Sequence, residues 1–123
     1  MFLGGPYAGT HSRGNWQSDR AVDMGVPVGT KVCAVFAGKI GPRIGALDSS
    51  DPRLAGLRLT LVGSTDQAYY AHLSRIVVRK AQPVRRDQLL GYSGTAGVPH
   101  LHIALKRGDP RRFCRATRIG GSC

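Results

Sequence analysis

The stretch Val98-Pro99-His100-Leu101-His102-Ile103-Ala104-Leu105 alternates two histidines with aliphatic residues. In a β-strand, side chains at i and i+2 point to one face. The spacing therefore predicts a strand over 100–105, with His100 and His102 side by side on one surface. Leu101, Ile103 and Leu105 would anchor it from the other. Paired imidazoles suit a borderline metal such as zinc, but they also suit a half-exposed polar face. Further ligands decide between the two.

The chain has four histidines, His11, His72, His100 and His102, and seven aspartates with no glutamate. The missing glutamate excludes a His-Glu-x-x-His metalloprotease helix and a two-glutamate glycosidase. Any general base must be His, Asp or a metal-bound hydroxide.

Working outward, short strands recur. Lys31 to Ile40 is β-branched and apolar, with a bend suggested at Gly38. Leu57 to Val62 alternates with period two, Gly63 to Gln67 turns, and Ala68 to Leu73 returns as a hairpin. Ile76-Val77-Val78, Gln82-Pro83-Val84 and Leu89 to Ser93 are further pieces. Residues 1–20 read as a structured loop and 106–123 as a solvated basic tail. No segment offers an amphipathic helix of a dozen residues. With 17 Gly and 7 Pro, the expected fold is all-β, antiparallel sheets forming a groove.

At 123 residues the chain is read as a single domain, 1–123, expected to be monomeric. Its net charge is +11, with Arg far outnumbering Lys. That balance favours a polyanionic setting: nucleic acid, an anionic membrane surface or an anionic cell-wall polymer. No apolar run is long enough for a membrane span, and the first residues lack the features of a signal peptide. Of three cysteines, Cys114 and Cys123 can close a loop in an oxidising compartment, while Cys33 reads as a buried free thiol.

Two more residues join the histidine strand. Asp23 sits in Ala21-Val22-Asp23-Met24, ahead of a Val26-Pro27-Val28-Gly29-Thr30 turn. A carboxylate among apolar neighbours needs a bonded, paired or metal partner. His72 lies in Tyr69-Tyr70-Ala71-His72-Leu73-Ser74, and strand alternation puts Tyr70 and His72 on one face.

In order, Asp23 with its Pro-Val-Gly-Thr turn, Tyr70-Ala71-His72-Leu73, Gln88-Leu89-Leu90-Gly91-Tyr92-Ser93-Gly94-Thr95-Ala96-Gly97 and His100-Leu101-His102 resemble the lysostaphin/LytM-type zinc endopeptidases of bacterial cell-wall metabolism. The resemblance spans about residues 9 to 105. It implies a LytM-like fold of barrel-sandwich type, one Zn2+ ion bound by Asp23 and His102, and His72 and His100 as catalytic groups. Tyr70 would be an extra contact to substrate or transition state.

One position departs from the family. Four residues before Asp23, where the family has its first histidine ligand, this chain has Asp19. The resemblance then leaves the vacant role to His11, carried back by a longer loop turning at Gly14-Asn15. Asp19 is the alternative, as a substitute ligand or as support for one.

The implied function is hydrolysis of peptide bonds in peptidoglycan stems or crossbridges, with anionic wall polymers as a second partner. The implied location is extracellular, periplasmic or phage-borne, as in an endolysin. Two other readings stay open. One is a catalytically inactive wall-binding or regulatory module, prompted by Asp19. The other is a nucleic-acid-binding β-barrel, which is disfavoured because the aromatics form no stacking platform among basic residues, so no nucleic-acid partner is expected.

Overall fold

In the computed structural model, residues 2–5, 7, 13–46 and 56–111 are described. They form nine strands and one short helix. These are β1 (Phe2–Gly4), α1 (Trp16–Asp19), β2 (Ala21–Met24), β3 (Lys31–Cys33), β4 (Gly38–Ala46), β5 (Leu57–Val62), β6 (Gln67–Ile76), β7 (Pro83–Val84), β8 (Leu89–Ala96) and β9 (Val98–Leu105). The fold is the expected one: antiparallel β throughout, in the order β1-β2-β9-β8-β6-β5-β4-β7, with β3 on β8 and β9 also on β6. Among the described residues no helix is long and apolar enough to cross a membrane.

Alternation builds the core. Val22 and Met24 of β2, Leu59 and Leu61 of β5, Ala68 and Tyr70 of β6, and Leu101, Ile103 and Leu105 of β9 bury one face of the sheet. A smaller cluster of Ala21, Tyr69, Ala71 and Ala104 lies on the opposite face, under Trp16 of α1. That second face carries the candidate site residues Asp23, His72, His100 and His102. The helix starts where Asn15 caps it, its side-chain oxygen accepting from Ser18 N–H at 2.9 Å.

The expected single strand from Lys31 to Ile40 is two. β3 pairs with β8, whereas β4 pairs with β5 and β7. The chain crosses between these partners through Ala34-Val35-Phe36, where the Tyr70 hydroxyl accepts from Val35 N–H at 3.0 Å. Cys33 is disulfide-bonded, which corrects the free-thiol expectation. Its partner lies outside the described residues, as do Cys114 and Cys123.

Two turns flank β7 and repeat one another. Gln82 N–H donates to Arg79 O and Gln88 N–H to Arg85 O, each at 3.1 Å. The glutamine side chains return the bond, Oε1 accepting from Arg79 N–H at 2.9 Å and from Arg85 N–H at 3.0 Å. Each turn needs a left-handed residue at its third position, and Ala81 (φ 65°) and Asp87 (φ 67°) occupy it. Alanine there costs about 1–2 kcal/mol, which glycine avoids at some entropic expense. Ala81→Gly is therefore expected to raise Tm by about 4 °C in a thermal melt. An unchanged or lower midpoint refutes the strain.

Candidate active site

β9 organises the site because it touches three strands. Its inner half pairs with β2 and β6, placing Asp23 and Ala71 on either side of His102. Its outer half forms a hairpin with β8, placing His100 opposite Gly94. β6 changes partner between the two, from β9 up to Ala71 to β8 from Leu73 onward. His72 sits at this fork with φ 61°.

The left-handed residue breaks the strand's alternation. It lets Tyr70 and Leu73 both enter the core, three residues apart, and leaves His72 on the other face. Tyr70 is fully buried, its hydroxyl held by Val35 N–H and Cys33 O. The assignment of Tyr70 to substrate contact is therefore corrected: it shares no face with His72. Tyr69 takes the site-facing place, its ring 5.9 Å edge-on from that of His102 and 6.5 Å from Trp16. Two adjacent tyrosines on a strand must face opposite ways, so only the register could decide between them. Burial pushes the Tyr69 hydroxyl pKa up, and the nearby Arg58 and Arg43 pull it partly back.

Three imidazoles and one carboxylate converge. The His72 ring lies 4.8 Å from that of His100 and 5.5 Å from that of His102. His102 Nδ1 is 3.1 Å from Asp23 Oδ1, and His100 Nε2 is 3.7 Å from the same oxygen. All four residues are buried or nearly so, Asp23 being the most open at 20 %.

Backbone carbonyls set the tautomers. Gln17 O lies 2.8 Å from His102 Nε2, and Val98 O lies 2.8 Å from His100 Nδ1. A carbonyl only accepts, so each of these nitrogens carries a proton. In neutral rings, His102 Nδ1 and His100 Nε2 then turn lone pairs toward Asp23 Oδ1. Three electron-rich atoms facing one another repel unless a proton or a metal ion lies among them. Zinc bound tetrahedrally to N and O at about 2.0–2.2 Å holds those two atoms about 3.3 Å apart, close to the observed separation of Asp23 and His102. The carbonyl behind His102 is also the usual orienting contact of a metal-bound imidazole. The donor set fits zinc, but as a pair. Among the described residues, no three His, Cys or Asp side chains form a complete ligand group.

Asp19 does not complete it. Its Oδ1 accepts from Gly14 N–H at 3.1 Å and closes the turn ahead of α1. His11 lies outside the described residues.

The turn after β2 is locked to the site's other wall by Ser93. Its hydroxyl donates to Pro27 O at 2.8 Å and accepts from Thr30 N–H at 3.1 Å, while Gly29 N–H (φ 86°) donates to Ser93 O.

Comparison with known proteins finds relatives of this chain and of its fold. The chain is 35% identical over 98 residues to the peptidoglycan DD-endopeptidase ShyA of Vibrio cholerae, covering 76% of this chain and 22% of that protein. Lysostaphin of Staphylococcus simulans superposes with a TM-score of 0.68 at 26% identity, over 96% of this chain and 49% of that one. A structure described as a peptidase M23 from Pseudomonas aeruginosa gives 0.61 at 32%, over 82% and 43%. The chain thus spans about a fifth of its curated relative and about half of these structures. The family model described as Peptidase family M23 matches residues 17–112. With most of its length inside that match, the chain belongs to peptidase family M23, in its lysostaphin/LytM branch.

Proposed function

We propose that this chain is a zinc-dependent endopeptidase that cleaves peptide bonds of peptidoglycan stems or crossbridges at the cell wall, outside the cytoplasm. The observation that carries this is the convergence of two lone-pair nitrogens on the Asp23 carboxylate, in the frame of a peptidase family whose relative in Vibrio cholerae is a peptidoglycan endopeptidase.

Asp23 Oδ1 and His102 Nδ1 would hold the metal, and the family resemblance would make His11 the third protein ligand. Three protein ligands leave one position open, the pattern of catalytic sites. Zinc there supplies Lewis acidity and lowers the pKa of water to about 7. The remaining roles belong to the chain. His100 takes a proton from the attacking water at Nε2, because its Nδ1 proton is committed to Val98 O. His72, 4.8 Å away ring to ring, donates toward the charge growing on the carbonyl oxygen or hands a proton to the leaving amine. Gln17 O and α1 keep His102 oriented. The surplus positive charge draws the protein to anionic wall polymers.

A second reading, a wall-binding module without catalysis, is favoured by Asp19 standing where the family has histidine. Zinc content and digestion of purified sacculi separate the two. Protein purified without chelator should hold about one zinc and release peptides. His11→Ala should lose the metal, while Asp19→Ala keeps it. Zinc-free protein that still binds sacculi supports the module instead, and the reverse outcome in the variants makes Asp19 the ligand.

A further inference from the structure

The functional face of the sheet continues beyond the histidines. Asp23, His102 and Ala71 form one row across β2, β9 and β6. On β5, Leu59 pairs with Tyr70 in the core and Thr60 with Tyr69. Arg58 therefore emerges on the same face as Tyr69, Ala71 and His102, two strands from His102. On β4, Ile44 packs toward the core opposite Leu59, which turns its neighbour Arg43 to that same face. Arg58 lies close enough to lower the pKa of the Tyr69 hydroxyl, and the Tyr69 ring stands 5.9 Å edge-on from that of His102.

Neither arginine has a carboxylate partner among the described residues. Among the described residues, the acid this face carries near them is Asp23, which lies against two imidazoles. Arg58 is half-buried, and a single neighbouring hydroxyl can take at most one of its five N–H donors. A partly desolvated guanidinium beside a candidate catalytic centre, with no carboxylate on its fork among the described residues, matches a planar carboxylate.

We propose that Arg58, with Arg43 beside it, is a substrate subsite that binds a free carboxylate of the peptide, about 10 Å from the metal-binding pair, two strand spacings away. In an extended peptide that distance covers about three residues. The proposal rests on the peptidase reading and adds the feature the enzyme selects: a stem peptide whose carboxyl group is not amidated. Arg58 and Arg43 lie on strands two and three positions from His102 and play no part in metal binding.

The test uses the full chain and one synthetic cross-linked stem-peptide dimer, prepared as free acid and as carboxamide. Equilibrium binding by titration calorimetry is measured for each form. The wild type should bind the acid about 10–100-fold more tightly. Arg58→Gln should erase the preference, and Arg43→Gln should reduce it. Arg58→Lys, which keeps the charge without the fork, should restore part of it. Equal binding of both forms by the wild type, or no binding of either, overturns the subsite, as does a preference that survives Arg58→Gln. Cleavage is scored separately: an acid preference without hydrolysis upholds the subsite and counts against the peptidase reading.

Discussion

Replacing His102 with alanine is expected to remove bound zinc and reduce sacculus digestion to background, while His100→Ala keeps zinc and loses about 10²–10⁴-fold in turnover. The two residues stand two positions apart on one strand, yet the structure gives their rings opposite polarity. His102 is tied through Nε2 to Gln17 O and turns Nδ1 to Asp23, whereas His100 is tied through Nδ1 to Val98 O and turns Nε2 inward. The shorter approach to the carboxylate, 3.1 Å against 3.7 Å, belongs to His102. The proposal therefore gives the ion to His102 with Asp23, and the proton handling to His100. Metal analysis on both variants, paired with a digestion assay, reads the split directly. Zinc retained by His102→Ala, or lost by His100→Ala, reverses the assignment. If both variants keep wild-type digestion, neither residue belongs to the active centre.

The shared face of His100 and His102 was legible before any coordinates, because period-two alternation on an unbroken strand put both histidines on one side and Leu101, Ile103 and Leu105 on the other. Asp23 was joined to them through the family resemblance. Nothing interrupts β9 there, and the structure keeps that pattern. The same rule failed on β6. Tyr70 and His72 are two apart, but a left-handed residue lies at the second of them, and sequence alone carries no mark of a histidine at φ 61°. A hint existed in Tyr70 and Leu73, two bulky core-forming residues at odd separation, which an unbroken strand cannot bury together. Register across three strands decided the matter, and register is a non-local property. The split of Lys31 to Ile40 has the same origin: continuous apolar residues read as one strand, but the partners of β3 and β4 lie in different parts of the sheet. The Cys33 disulfide was illegible because Val32-Cys33-Ala34-Val35 is an apolar run in which a cysteine reads as an ordinary buried thiol. Arg58 was passed over because a lone arginine in Leu-Arg-Leu-Thr-Leu is an ordinary solvent-facing residue until the site is known to share its face.

The unusual backbone of His72 leads to the second large effect, expected at Gly94. A Cβ built on Gly94 would stand 2.8 Å from His72 O and 3.0 Å from Ser74 N, both backbone atoms that cannot swing aside. On the opposite flank, a Cβ on Gly56 would meet His72 Cα at 3.0 Å. His72 is thus held between two residues without side chains, and that clamp keeps a strained non-glycine conformation in place. Gly94→Ala should push the His72 backbone by about half an ångström and cost about 1–3 kcal/mol, a fall in Tm on the order of 5–15 °C. Displacing a catalytic group by up to 1 Å costs about 10²-fold, so digestion should fall by one to two orders of magnitude in protein that remains folded below its new midpoint. Gly97→Ala, in the same hairpin, separates collision from backbone strain. Gly97 has φ 80° but nothing within 4 Å of its added Cβ, so this variant should lose some stability and keep its turnover. Zinc content should be unchanged in both, because Gly94 pairs with the outer half of β9 at His100, whereas His102 sits on the inner half between Asp23 of β2 and Ala71 of β6. Wild-type activity in Gly94→Ala means that His72 need not stay where the fork of β8 and β9 puts it, and its catalytic role falls with that result.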